Sequence, residues 1–445
     1  MTEAAVMEKP ADTLPGMDDQ LFATVQEPGG ARLLAQKREH AFAAYQSIRA
    51  PVRTDEEWRR TDPALFPIGE MNRLPTLQPV GQLPEHPWDE AFDVVVAVQA
   101  DGYAIRHRNE TARDLGISVL SLADAAVQKP ELVEEYLHGN AMQDAAGKYE
   151  ALNDAFWNFG LLIHIPEGVV WEKGLLIRYA MTENQSLLIP RVVVVAGQGS
   201  RAVVTERMES PDSVHFMAVS TRELYVDEAA NFKWISLQEW GLNSYQVSND
   251  WGIAQRDASL NWITLNFGSA RSKMKFGGNV AGPGSAADMD GIFFCTGEQH
   301  MDQRTLQIHA SPDTYSRLLY KGAVKDTGRS VYQGLIIAKP GAVRVDAYQT
   351  NNNLVLDDGA RADSIPGLLI DADDLKCSHG STIGNLDAEQ LFYLRTRGLS
   401  EEQARRVLVR GFFVEIVDRI PQEFIRDTVY ERIEKKMEPS DHETT

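Results

Sequence analysis

Ala230-Asn231-Phe232-Lys233-Trp234-Ile235 is answered 28 residues later by Ala258-Ser259-Leu260-Asn261-Trp262-Ile263. Each run opens on alanine and then alternates polar with apolar, as a strand with one buried side does. Ala202 stands 28 residues before the first run and Ala286 28 after the second. Continuing the count reaches Thr314 and Ala342, and each position opens another strand-like run. Turn formers lie just upstream: Gly199, Asp227, Asp257, Gly284, Asp313 and Gly341. A repeat of this length, with no helix between its strands, predicts a mainly β solenoid of stacked coils over residues 159–384. A β-sandwich of short strands is the alternative, but it gives no reason for a constant offset. The spacing alone leaves open whether one period is one coil.

Outside this core the texture changes. Residues 1–158 read as a mixed, largely helical region. It holds a charged helix over Ala31–Ile48 that Pro51 ends, and a proline-bearing loop over Leu74–Pro87. A strand follows at Val94–Val98, then helical stretches over Ser121–Tyr136 and Lys148–Phe156. Residues 385–445 read as a helical subdomain. Asp387 with Gln390 opens one helix, which Gly398 stops; Ser400 with Gln403 opens another, interrupted at Pro421; Glu423–Lys436 makes a third, before a polar tail. These helices carry more apolar residues than they need among themselves. Gln390, Leu391, Tyr393, Leu394, Phe412, Phe413 and Ile416 are therefore candidate partner-binding residues. Covering the strand edges of the last coil is the other role open to them.

The 445 residues carry 44 basic and 64 acidic side chains, a net charge of −20. That excludes nucleic acid and anionic membrane as main partners. Two cysteines, Cys295 and Cys377, are too few for a disulfide framework or a closed four-cysteine metal site. Met1–Glu8 is acidic and lacks an apolar stretch, and no run approaches the roughly 18 apolar residues of a membrane span. A cytoplasmic protein is expected.

The chemistry-bearing run is Asp374-Leu375-Lys376-Cys377-Ser378-His379-Gly380-Ser381-Thr382-Ile383-Gly384. On an extended strand Cys377 and His379 share a side, so a thiol and an imidazole form half of a soft-metal site. Two ligands cannot close an iron or zinc centre, so the motif makes most sense facing another chain. Cys295, inside Ile292-Phe293-Phe294-Cys295, reads as core. His300 and Asp302 share a strand face but His309 has the opposite parity, which predicts a polar rung rather than a metal site. Gly277-Gly278 and Gly282-Pro283-Gly284 are turns, since no Gly-x-x-x-x-Gly-Lys-Ser/Thr is present. Asp288, Asp290 and Asp302 admit one rival reading, the carboxylate-lined groove of a β-helix polysaccharide lyase or hydrolase.

Longer motifs narrow this. The Asp374–Gly384 run continues into Asp387-Ala388-Glu389-Gln390-Leu391-Phe392-Tyr393-Leu394. Similar stretches are Glu56–Arg59, Leu152–Phe156, His164–Val169, Gln299–Asp302, Tyr332–Ile336 and Tyr348–Asn351. Together they resemble the SufB/SufD family of SUF iron–sulfur cluster assembly scaffolds. The resemblance implies a right-handed parallel β-helix with terminal helical regions and no catalytic activity of its own. It implies pairing with SufB through the β-helix and docking of the SufC ATPase on the C-terminal helices, with a homodimer possible when the chain is alone. Asn351 stands where SufB chains keep a sulfur-accepting cysteine, which places the resemblance in the other branch. It also implies that His379, with Cys377 as a second ligand, faces a nascent iron–sulfur cluster shared with SufB, and that the isolated chain holds no stably bound cofactor. A SufB-like scaffold able to hold a cluster alone is the alternative within the family.

Overall fold

The computed structural model describes residues 13–25, 32–139 and 147–439. The N-terminal Met1–Glu8 stretch and the tail from residue 440 lie outside the described residues. Parallel pairing decides the architecture. Trp234 pairs with Trp262, Trp262 with Met289, Met289 with Leu318, Leu318 with Gln349, and Gln349 with His379, always between parallel strands. The chain alternates between an eleven-stranded sheet 1, ending on Lys376–Gly384, and a ten-stranded sheet 2, ending on Arg361–Ile370. One period is therefore one coil with two strands, and the sandwich alternative falls.

Within sheet 1 the 28-residue offset holds only between the two runs that announce it. Ala202 pairs with Phe232, 30 residues on, while Ala230 and Ala258 are matched in position by Ser200, Ser285 and Thr314. The stacked feature is a small, buried residue at the coil corner. Ser200, Ala230, Ala258 and Ser285 each donate their N–H to the carbonyl three residues back, closing a tight turn. The residue just before each is left-handed: Gly199, Ala229, Asp257 and Gly284, with φ of 65°, 55°, 57° and 74°. Glycine and aspartate tolerate that conformation, whereas alanine is strained in it.

Alternation sends one side of every strand into the lumen, where Val204, Trp234, Trp262, Met289 and Leu318 stack as a dry column. A buried charged cluster interrupts this interior. Arg222 lies between Glu206 and Asp250, at 2.6 and 2.8 Å, and burial holds both carboxyls above their usual range.

The region before residue 158 is continuous with the solenoid. Val94–Gln99 and Gly102–His107 extend sheet 1, and Ser118–Ser121 extends sheet 2, each through an antiparallel pair that closes the N-terminal end. Helices α1 (Asp19–Val25), α2 (Arg32–Ser47), α3 (Thr111–Asp114), α4 (Leu122–Gln128), α5 (Pro130–Tyr136) and α6 (Lys148–Phe156) surround this end. Pro130 divides the helical stretch expected over 121–136, since proline starts a helix well but cannot continue one. An aromatic cluster of Phe22, Phe42, Tyr45 and Phe156 binds α1, α2 and α6 together over the outer face of sheet 2.

The C-terminal helices are α7 (Ala388–Thr396), α8 (Glu401–Val417) and α9 (Glu423–Lys436). Ser400 and Gln403 form the expected capping box of α8, and Asp387 caps α7. They do not cover the last coil. Val409, Phe413, Ile416 and Val417 of α8 pack instead on Ile292, Phe294, Leu319 and Ala323, on the outer flank of sheet 1. Lys321 Nζ donates to the Phe412 carbonyl at 2.9 Å, and Arg419 holds Asp290 at 2.5 Å. Among the described residues no helix is long and apolar enough to cross a membrane.

Ala229→Gly should stabilise the protein by about 0.5–1 kcal/mol. Relief of the left-handed strain exceeds the added backbone entropy of glycine in the unfolded chain. Denaturant unfolding of the two proteins checks this.

Candidate functional site

The C-terminal mouth of the solenoid is unlike the rest of its surface. Arg361–Ile370 and Lys376–Gly384 are each the last strand of a sheet, so each presents one row of backbone groups with no strand beside it. Their lumen sides are open at the end of the solenoid because no further coil of the described residues lies over them. Leu368, Ile370 and Ile383 are exposed on that side, with Ile365 and Leu369 on the outer face of the same edge. An exposed apolar rim around an unpaired edge is the signature of an association surface.

His379 and Cys377 sit in this layer, on the same side, as their spacing predicts. The strand beneath makes the direction clear. Ala347, Gln349, Asn351 and Asn353 are buried on the lumen side, and they pair with Cys377, His379, Ser381 and Ile383. His379 is exposed. Cys377 is half-buried against Ala347, and burial, followed by Asp346, pushes its thiol above the usual range. At neutral pH it behaves as a small apolar residue more than as a thiolate. Among the described residues no group of three or more His, Cys, Asp or Glu could hold a metal ion.

Asn351 is fully buried. Its amide donates to the Tyr320 carbonyl at 3.3 Å and accepts from Asn353 and Ser364 at 2.6 and 2.7 Å. Ser381 in turn donates to Ser364 at 2.8 Å. The amide therefore closes a polar network that ties the last coil to the one before it.

The remaining candidates disperse. His300 and Asp302 point outward and are buried under an N-terminal segment: Thr61 Oγ1 lies 2.9 Å from His300 Nε2 and donates to Asp302 at 2.5 Å, while Lys273 holds Asp302 at 2.8 Å. His309 points into the lumen, as its parity requires, and bonds Thr314 and Ser316, both at 2.8 Å. Asp288 and Asp290 lie on sheet 1 beside α8, whereas Asp302 lies on sheet 2. Asp302 therefore does not join Asp288 and Asp290, and the three carboxylates of the polysaccharide-cleaving alternative do not form one site. Cys295 is core, with its thiol pushed up to about 12 by burial.

Of the partner-binding candidates, Phe413 and Ile416 are a correction: both are fully buried against the solenoid and unavailable to a partner. Their heptad-like spacing is spent on an internal face. Phe412 is half-buried beneath Lys321. Gln390, Leu391, Tyr393 and Leu394 lie on α7, which buries no residue and carries the exposed Phe392 and Tyr393. Sequence reasoning passed over Phe392, the most exposed aromatic of the helix at 70 %. Its adjacency to Tyr393 was the available signal. Gln349 lies beneath His379, a neighbour that only the strand register reveals.

Fold and site thus define a class, a helix-flanked parallel β-solenoid with one open end. Residues 179–412 match the SUF system FeS cluster assembly SufBD core domain, and residues 91–177 match the SufBD protein N-terminal region. The chain belongs to the SufBD family of iron–sulfur cluster assembly proteins and is of the SufD type. It is 28% identical over 335 residues to the iron–sulfur cluster assembly protein SufD of Bacillus subtilis, covering 74% of this chain and 76% of that one. It is 36% identical over 231 residues to a SufBD family protein of Mycobacterium leprae and 38% over 224 to one of Mycobacterium tuberculosis. Those alignments cover 50% and 48% of this chain, and 59% and 56% of the mycobacterial proteins.

Two predictions follow from this geometry. Phe413→Ala should cost about 3–5 kcal/mol by opening a cavity under α8, whereas Phe392→Ala should stay within about 0.5 kcal/mol of the parent; urea unfolding compares them. Burial holds His300 and His309 each down to about 4, from 6.5 when unfolded. The unfolded chain therefore binds more protons between these values, so stability should fall as pH drops from about 6.5 to about 4. His309→Gln should flatten part of that slope in denaturation curves taken across the range.

Proposed function

We propose that this chain is a non-catalytic scaffold subunit of iron–sulfur cluster assembly in the cytoplasm, whose working end is completed by a second scaffold chain of SufB type. The observation that carries this reading is the open last coil, with two unpaired strand edges, an apolar rim and an exposed lumen-side His379. A partner solenoid presenting its own edge would satisfy the backbone rows and cover the apolar residues together. It would also supply what this chain lacks at the position of Asn351. An amide cannot carry sulfur or replace a thiolate toward iron, whereas a neutral imidazole is a competent iron ligand. Iron and sulfide are cargo here, held between His379 and a partner thiol, with Cys377 in a secondary position. Alone, two copies can pair through the same edges.

The chain has no phosphate-binding loop, so the energy of ATP must come through a partner ATPase of SufC type. α7 suits that docking: it stands off the body and offers Phe392, Tyr393, Leu391 and Leu394 on a short helix. Its connection runs directly to Lys376–Gly384, so force applied to α7 reaches the strand that bears His379.

Co-purification of His379→Ala with SufB and SufC, followed by iron and sulfide analysis, tests the reading. The variant should assemble normally and lose at least about tenfold in cluster content. Normal cluster content in a normally assembled complex would falsify the role given to His379.

A further inference from the structure

The last strand of sheet 2 carries opposite charges at its two ends. At its start, Arg60, Arg329 and Arg361 converge on the carboxylate of Asp363, at 3.7, 3.5 and 2.9 Å. Arg60 comes from an N-terminal segment, Arg329 from the strand of the preceding coil and Arg361 from the edge strand itself. Three guanidinium groups against one carboxylate leave a positive patch on a chain whose total charge is −20. Arg329 Nε is buried with no hydrogen-bond partner among the described residues. The three side chains are 38, 42 and 60% exposed on an open sheet face, where a free anion in water is held weakly. At its far end the strand runs into Asp371-Ala372-Asp373-Asp374, and all three aspartates are exposed.

The backbone of this edge is equally particular. Arg361 and Asp371 donate their N–H groups to Gly328 and Ala338 of the coil beneath. By alternation Ala362, Ser364, Pro366, Leu368 and Ile370 turn their backbone groups to the open side. Pro366, in the middle of that row, has no N–H to give, and an edge proline discourages indiscriminate pairing.

We infer that Arg60, Arg329 and Arg361 are the receptor for the acidic turn Asp371–Asp374 of a second copy of this chain. The two open edges then pair antiparallel about a two-fold axis through Gly367. Parallel pairing would set arginines against arginines, whereas antiparallel pairing sets each arginine cluster against the other copy's aspartates. With the axis at Gly367, Arg361 faces Asp373 of the second copy, Ile365 faces Leu369, and the Pro366 carbonyl meets the Leu368 N–H. An axis through Pro366 would instead oppose two prolines and lose a bond in each direction. Glycine suits the axis, because a pair not joined by hydrogen bonds comes within about 4.5 Å there. Two chains of charge −20 repel at a distance, so the attraction that orients them is local. The inference rests on the reading of the open end as an association surface, and it names what that surface recognises in a like chain.

Sedimentation of the full chain and its variants tests this. The parent should form a dimer, and Arg361→Asp and Asp373→Arg should each raise its dissociation constant about tenfold or more, since each change counts twice per dimer. Mixed together, the two variants should regain the parent's affinity, because every contact is then again between opposite charges; a misfolded variant could not do so. Gly367→Cys, whose Cβ meets only the flexible tip of Leu335 at 3.2 Å, should form a disulfide between copies on mild oxidation. Mass spectrometry should find residue 367 bridged to residue 367. A parent that stays monomeric at about 100 µM, or a dimer that both charge reversals leave within about twofold, overturns the inference. Either result leaves the scaffold reading standing if the chain still assembles with SufB, and cluster content in His379→Ala decides that reading separately.

Discussion

Every coil of this protein depends on the backbone hydrogen bonds it exchanges with the coil on either side. A parallel ladder has no hairpin to end it, so the two terminal coils each leave a row of donors and acceptors exposed. At the N-terminal end antiparallel strands pair with that row. At the C-terminal end nothing among the described residues does, although three helices lie close enough in sequence to have done so. α8 and α9 go to the flank of sheet 1, where Phe413 and Ile416 find Phe294 and Leu319. The open end is thus a consequence of where apolar surface was available, and it leaves the strand that carries His379 free.

The lumen responds to the same asymmetry. In its middle coils stacked tryptophan, methionine and leucine side chains fill one column, beside amides such as Gln238, Gln246, Asn266, Gln303 and Gln307 that bond one another or nearby hydroxyls. At the mouth that column turns polar too, with Gln349 in it and Asn351, Asn353, Ser364 and Ser381 beside it. Such groups are tolerable near an end, where each can reach another polar group or a second chain. Asn351 gives the clearest case. It knits Tyr320, Asn353 and Ser364 together and stiffens the last coil.

Much of this was legible in the residues. Alternation around Phe232 and Trp234, the turn formers before each strand, and the caps at Asp387 and Ser400 all express local physics, and each was met in the structure. The shared side of Cys377 and His379 follows from the strand period alone. The 28-residue count was legible but misread: coil lengths vary with their turns, so Ala202 and Ala230, matched by counting, are not matched in register. Phe413 and Ile416 were misassigned because an apolar helical face looks the same whether a partner or the protein's own body covers it.

The sequence by itself determined that strands would form, that they would turn at given places, and which side chains would share a face, since these depend on contacts a few residues apart. Only the tertiary structure decided which face α8 buries, which end stays open and which residue lies under His379. Those contacts join residues 30 to 130 positions apart, and their choice depends on accumulated coil lengths and competing apolar surfaces that no local pattern records. The placement of Gln349 beneath His379 belongs to this second kind.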